Sequence, residues 1–332
     1  VALHLGTDHT ELYVTAEQAM DVIPRITHTY DEPFSDASQI PMMLVSEMTK
    51  QYVTVALSGD GGDELLAGYD RYFFADMLWK KAGRIPYPLR KLLSSGIKNI
   101  SPTLLSSAFG RVTPRLSAYG GQGTAGDKLH KAADLLSFRN IEDLYLVLIS
   151  QWKSPSSLVL GTEEPPTVLT DPDQWAMLSE CIPKMQYLDT SSYLPDDILV
   201  KVDRAAMGVS LETRLPFLDH NVVEYAWTLP QSLKVRNGEG KWILRRMLGK
   251  YIPGDLMDRP KMGFGVPIDS WLRGPLRDWA ESLLNEKRIR DEGFLDPGLI
   301  RKKFTEHLSG DRNWQFCLWD VLMFESWLEM QC

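Results

Sequence analysis

The run Tyr52-Val53-Thr54-Val55-Ala56-Leu57 leads straight into Ser58-Gly59-Asp60-Gly61-Gly62-Asp63-Glu64, and this junction constrains the fold more than any other stretch of the chain. The run is β-branched and apolar on both faces, the pattern of a parallel strand buried between two layers. A parallel strand needs a crossover, and residues 38–50 supply a helix for it. Ile40, Leu44, Val45 and Met48 recur there at helical spacing, with Pro41 early enough for a first turn. A second helix is predicted over 16–23 and another strand over Glu11-Leu12-Tyr13-Val14-Thr15. The N-terminal part therefore reads strand–helix–strand, an α/β arrangement. Beyond Leu65 the 3.6-residue period dominates, over 65–80, 128–152, 174–190, 220–228, 241–251, 271–286 and 314–330. Pro/Gly/Ser-rich stretches punctuate these at 82–88, 101–126, 154–173 and 253–268. The final helix is apolar nearly all round, which ordinary core packing explains better than a cofactor box.

With 332 residues, 44% of them hydrophobic and 24% charged, the chain suits one large globular domain or two smaller ones. No apolar run reaches the ~18–20 residues of a membrane-spanning helix, and the net charge of −8 argues against wholesale coating of nucleic acid. Cys181, Cys317 and Cys332 are far apart, odd in number and lack C-x-x-C spacing, which fits a reducing cytoplasm better than disulfides or zinc. Charge is uneven: residues 77–126 hold eight bases and no acid, and 234–261 hold eight bases against three acids. A solvated helix face explains the first cluster; a polyphosphate or an acidic partner is the sharper alternative.

The turn after Leu57 carries the chemistry. Its three glycines permit close approach of a ligand and positive φ, and the amides and dipole of a following helix suit an anion. No G-K-[ST] follows and the spacing is not G-x-G-x-x-G, so neither standard nucleotide loop applies. Three carboxylates would repel a bare polyphosphate; a bridging Mg²⁺ removes the conflict, with Asp63 placed to bind it. A turn whose acids merely cap the helix is the competing reading, and local chemistry puts nucleotide binding only slightly ahead. Further on, Leu194–Met207 and Ser210–Asp219 are dense in acids and bases. A structural ion network is favoured there for Asp203, Arg204, Glu212 and Arg214. Lys241 stands at a helix start, where a cation wastes about 0.3–1 kcal/mol unless an anion is near. Lys261 heads a second glycine-bearing loop, Lys261-Met262-Gly263-Phe264-Gly265-Val266-Pro267.

Seven segments in order resemble the synthetase half of glutamine-dependent asparagine synthetases: L-G-T-D-H-T-E (5–11), D-E-P-F-S-D-A-S-Q-I-P (31–41), V-A-L-S-G-D-G-G-D-E-L-L-A-G-Y (55–69), L-V-K-V-D-R-A-A-M (199–207), S-L-E-T-R-L-P-F-L-D (210–219), G-K-W-I-L-R (240–245) and R-P-K-M-G-F-G-V-P (259–267). Together they span the chain except 80–185 and the last fifty residues. The resemblance implies an ATP-pyrophosphatase that activates the side-chain carboxylate of aspartate as an acyl-adenylate, from which ammonia then displaces AMP. It implies ATP and Mg²⁺, an N-terminal glutaminase domain as source of ammonia, a cytoplasmic setting and no nucleic acid or membrane; a homodimer is left open. By resemblance, Ser58, Gly59, Gly61, Gly62, Asp63 and Lys261 bind the nucleotide and its phosphates, and Asp63 binds Mg²⁺. Asp60 matches an acidic position, often Glu, that takes a proton from attacking ammonia. Lys241 matches a lysine that stabilises charge on phosphate and in the transition state.

The fold so implied is the remnant of a doubly wound, adenine-nucleotide α-hydrolase-like parallel sheet with a predominantly helical remainder. Residues 1–79 would form a partial α/β ATP-pyrophosphatase region and 80–332 a mainly helical synthetase region. The family's S-G-G-x-D-S loop does not occur; Ser58-Gly59-Asp60 and Tyr119-Gly120-Gly121 are the only similar strings. Val1 is neither an initiator Met nor part of a signal peptide, so the chain reads as starting after the first strand and its phosphate loop. The isolated chain is then expected not to form the adenylate. Two other readings stay open: a related amidotransferase that activates a different carboxylate, and a non-catalytic helical interaction module.

Overall fold

A computed structural model describes residues 1–109, 125–257 and 265–331. It is mainly helical, with one small parallel sheet. Two compact units interleave along the chain: one from Val1–Asp31, Asp36–Phe73 and Asp171–Val266, the other from Glu32–Ser35, Phe74–Thr170 and Pro267–Cys332.

In the first unit, α1 (Ala16–Met20), α2 (Ile23–Tyr30) and α3 (Gln39–Lys50) lead to β1 (Val55–Leu57). The strand expected over 11–15 does not form. Thr15 instead opens α1 through a reciprocal cap: its hydroxyl accepts from the Gln18 amide, and the Gln18 side chain accepts from the Thr15 amide. Glu11 is engaged locally by His9 and Tyr13, and Leu12, Tyr13 and Val14 are exposed. The core of this unit lies where α3 packs on α6 (Val200–Met207) and α2 flanks both. Ile26, Tyr30, Ile40, Met43, Val202, Ala205 and Ala206 are buried there.

β1 pairs in parallel with β2 (Glu212–Arg214), in the register Val55↔Glu212, Ala56↔Thr213, Leu57↔Arg214. Parallel pairing is as the junction predicts, but burial is not. Val55 is 47% and Leu57 76% exposed, because among the described residues the sheet has two strands and no layer over these side chains. After β1 the helix begins earlier than its period suggests. A single turn, α4 (Gly62–Leu65), is followed by a break and then α5 (Asp70–Ala82), with Ala67 left-handed at φ 56° in the break. One turn of helix has a small dipole, so α4 by itself offers an anion little. Leu65 and Leu66 anchor the turn in a cluster with Ala226 of α7 (His220–Thr228), Phe217, Leu218 and Ile243.

The second unit is helical, built around the C-terminal helix α9 (Gln315–Gln331), with α8 (Trp242–Leu248) belonging to the first unit. In α9, Leu318, Trp319 and Leu322 are fully buried and join Leu272, Ile300 and Phe304 in the core, so most of its apolar sequence is core packing as expected, with Phe316 left exposed. The period over 128–152 breaks into Ala125–Asp134 and Ile141–Ile149, where Asn140 caps a new start, and 271–286 breaks after Arg273 at Gly274-Pro275. Cys181 and Cys317 form no disulfide. No helix among the described residues is long and apolar enough to cross a membrane.

Candidate active site

The glycine-rich turn draws three distant sequence segments together within the first unit. The Ser58 amide donates to the carbonyl of Arg214 at 2.8 Å, extending the β1–β2 ladder by one bond. The turn Pro216–Leu218, which follows β2, lies under the loop. Gly61, left-handed at φ 87°, is buried so close to Leu218 that a Cβ would come within 2.3 Å of Cδ2; one on Gly62 would touch the Phe217 ring at 3.4 Å. These two glycines serve the packing of the loop. Gly59 differs: nothing lies within 4 Å of where its Cβ would be, so it is the glycine that a ligand can approach.

The third segment arrives through the backbone of Lys241, whose amide donates to the Leu66 carbonyl at 2.8 Å. Gly240 makes this possible, since a Cβ there would sit 1.8 Å from the Ala67 carbonyl oxygen. Lys241 itself is left-handed at φ 56° and stands just before α8. A non-glycine residue held in that region costs roughly 1–3 kcal/mol, and the conformation turns its side chain back onto the loop. Lys241 Nζ lies 3.0 Å from Asp63 Oδ2, with the two side chains 33% and 25% exposed. Gly68 clears the space, because a Cβ there would fall 2.1 Å from Asp63 Oδ1 and 2.2 Å from Lys241 Cε.

The three acids of the turn are thus sorted into three settings. Asp63 meets Lys241. Asp60 accepts a hydrogen bond from Ser58 Oγ, so the serine hydroxyl is committed to the neighbouring carboxylate. Glu64 points inward, 1% exposed, where Tyr69 OH donates to it at 2.5 Å and Gln186 donates to its carbonyl at 2.6 Å. Burial raises the Glu64 carboxyl above the ordinary range, opposed by the Tyr69 hydrogen bond. Only two of the three carboxylates therefore stay outside the core, which lessens the repulsion that the loop sequence implies.

A charged and aromatic cluster adjoins Glu64 through Tyr69. The Arg71 guanidinium lies 3.9 Å over the Tyr69 ring and 4.6 Å from that of Tyr193, and donates to buried Asp189 at 2.6 Å. Further along, Lys201 donates to Asp36 at 2.5 Å and approaches Asp197 at 3.8 Å. Burial and then the Asp36 charge push Asp197 up to about 7, whereas the Lys201 ammonium and Ser38 overcome burial to hold Asp36 low. The residues singled out for an ion network divide into one ion pair and two residues on α6. Glu212 and Arg214 pair at 2.5 Å on an exposed strand, and Asp203 and Arg204 are exposed on α6. Sequence reading missed Gly68, Tyr69, Arg71 and Asp189, although the quoted segment 55–69 contains the first two. Among the described residues, segment 5–11 makes only local polar contacts such as His9–Glu11, and Lys261 lies outside the described residues.

The model of the asparagine synthase family matches residues 1–329. The chain belongs to the asparagine synthase family. It is 28% identical to asparagine synthetase [glutamine-hydrolyzing] 1 of Bacillus subtilis, over 98% of this chain and 48% of that protein. A putative asparagine synthetase [glutamine-hydrolyzing] of Mycobacterium bovis is also 28% identical, over 97% of this chain and 46% of its own length. Amidase chyE of Penicillium rubens is 25% identical over 82% of this chain and 42% of its own. The chain thus spans about half the length of the curated relatives it matches.

Proposed function

We propose that this chain is the synthetase part of a glutamine-dependent asparagine synthetase, making asparagine from aspartate, ATP and ammonia by way of β-aspartyl-AMP. The observation that carries the reading is the 3.0 Å approach of Lys241 to Asp63 across 178 positions of sequence, beside an open Gly59. A cation and a carboxylate side by side at a glycine turn suit a metal-bound polyphosphate: the lysine takes phosphate charge and the carboxylate takes the metal. The bare sides of β1 and β2 are what a pair drawn from a larger doubly wound sheet would present. In this reading the pyrophosphatase chemistry of region 1–79 uses Lys241 from region 80–332.

Among the described residues no group of three or more His, Cys, Asp or Glu could enclose a metal. Magnesium held by one carboxylate and by phosphate oxygens, its common habit, fits Asp63. Bound there, it would neutralise polyphosphate charge. In the first half-reaction an oxygen of the aspartate β-carboxylate attacks the α-phosphorus, the bond to the β,γ-phosphates breaks, and pyrophosphate leaves. Lys241 stabilises the charge gathering on the phosphate oxygens. In the second, ammonia attacks the β-carbonyl carbon, AMP leaves with the bonding pair, and Asp60 accepts a proton while Ser58 fixes the carboxylate's orientation. Ammonia from a glutaminase domain and a cytoplasmic setting belong to the same proposal. A second reading, amide formation on another carboxylic acid, is favoured by the match to Amidase chyE and by Asp60 standing at a position that is often Glu.

Aspartate-dependent exchange of pyrophosphate into ATP by the full-length protein tests both. Lys241→Ala is expected to cut exchange about 100-fold or more, whereas Asp60→Asn should retain most exchange and lose amide formation. Exchange supported by another acid and not by aspartate would favour the second reading. Undiminished exchange in Lys241→Ala would reject the site assignment.

A further inference from the structure

A separate cavity of 290 Å³ opens in the first unit between α2, α3 and the end of α6. Its walls include Arg25 and Glu47, its apolar lining Met43, Ala205 and Val209. It contains none of Ser58, Gly59, Asp60, Asp63 or Lys241 and plays no part in the proposed mechanism.

Charge narrows what could fill it. Arg25 Nη1 meets Glu47 Oε1 at 2.5 Å, with the two side chains 51% and 32% exposed. Among the described residues this is Arg25's one side-chain hydrogen bond, out of five N–H donors. Glu47 keeps a second carboxylate oxygen. A ligand with a single charge would satisfy one member of the pair at the other's expense. A ligand carrying both charges one carbon apart can satisfy both at once and leave the pair intact. Met43, 5% exposed, and Ala205, 1% exposed, offer a short apolar floor. Thr29 is not needed as a donor, since its hydroxyl already donates to the Arg25 carbonyl at 3.0 Å.

We propose that this cavity binds a free α-amino acid, its carboxylate on Arg25, its ammonium on Glu47 and a short uncharged side chain over Met43 and Ala205. The site is independent of the ATP reading, since its residues and its ligand charges differ from those of the turn.

The test is a titration of the full-length protein with L-alanine and L-asparagine, watched through the [¹³C]methyl signal of Met43, with acetate and ethylamine as singly charged probes. A saturable shift with either amino acid is expected, and none with the two probes. Arg25→Gln and Glu47→Gln should each weaken binding about tenfold or more. Both side chains are partly exposed, so both variants are expected to melt within a few degrees of the parent. Val209→Trp, which fills the cavity from a half-buried position and leaves the ion pair, should abolish the shift. A response that never saturates, that acetate or ethylamine reproduces, or that survives both charge variants would overturn the proposal. Binding lost in the cavity variants while ATP–pyrophosphate exchange persists separates this site from the turn.

Discussion

β1 and α9 are both written in apolar residues, yet they end in opposite surroundings. Leu57 is 76% exposed on its strand, whereas Trp319 and Leu322 of the C-terminal helix are completely buried. Hydrophobic pattern selects the element and says which faces want cover. It does not say whether cover is present. A helix carries its backbone hydrogen bonds within itself and needs only side-chain neighbours, which the second unit supplies from Leu272, Ile300 and Phe304. A parallel strand needs partners at its edges and layers on both faces. β1 has one partner strand among the described residues.

That contrast can be broken directly. Trp319→Ala removes a fully buried indole and is expected to cost about 3–5 kcal/mol of stability, measured by denaturant unfolding. Gly68→Ala acts on the first unit without removing a charge. Its methyl would occupy the space between Asp63 and Lys241, so exchange of pyrophosphate into ATP should fall about 10–100-fold, with a far smaller effect on melting than Trp319→Ala.

A pH experiment sharpens the picture of the closed unit. His307 is fully buried, and burial, followed by the nearby Arg273 charge, pushes its imidazole down to about 4. Unfolded histidine ionises near 6.5, so between these values the unfolded chain binds the proton and the folded one does not. The stability contributed is present above pH ~6.5 and is lost as pH falls through ~4. Relative to His307→Gln, the parent should lose about 3 kcal/mol from pH 7 to pH 4; a flat difference would show that His307 is protonated inside the fold. Smallest of all, Leu57→Ser should shift stability by no more than about 0.5 kcal/mol. A cost of several kcal/mol would mean that β1 is covered in solution and that the two regions are alike.

Much of this was legible in the sequence, for identifiable reasons. Parallel pairing of the strand before the turn follows from its β-branched, two-faced pattern, and the helices 38–50, 220–228 and 314–330 follow from period alone. No strand forms over 11–15 because Thr15 and Gln18 form a cap, and capping outranks a short β-like run. The period over 65–80 does not show the break before Asp70, because the left-handed residue there is Ala67 and not a glycine. At the site, resemblance pointed to Asp63 and Lys241, but not to why they meet. That depends on Gly68 and Gly240, whose missing Cβ atoms leave room for the lysine, and on a left-handed backbone at Lys241 itself. Nor could a run of acids reveal that Glu64 turns inward under Tyr69, since that is decided by packing across 122 positions to Gln186.

Calorimetric titration of the full-length protein and its Asp63→Asn and Lys241→Met variants with ATP, in the presence and absence of magnesium, bears most directly on the pairing of these two residues as a polyphosphate site. Magnesium should strengthen ATP binding by the parent, Asp63→Asn should lose that magnesium dependence, and Lys241→Met should bind about tenfold or more weakly. Parent-like affinity and magnesium dependence in both variants would contradict it.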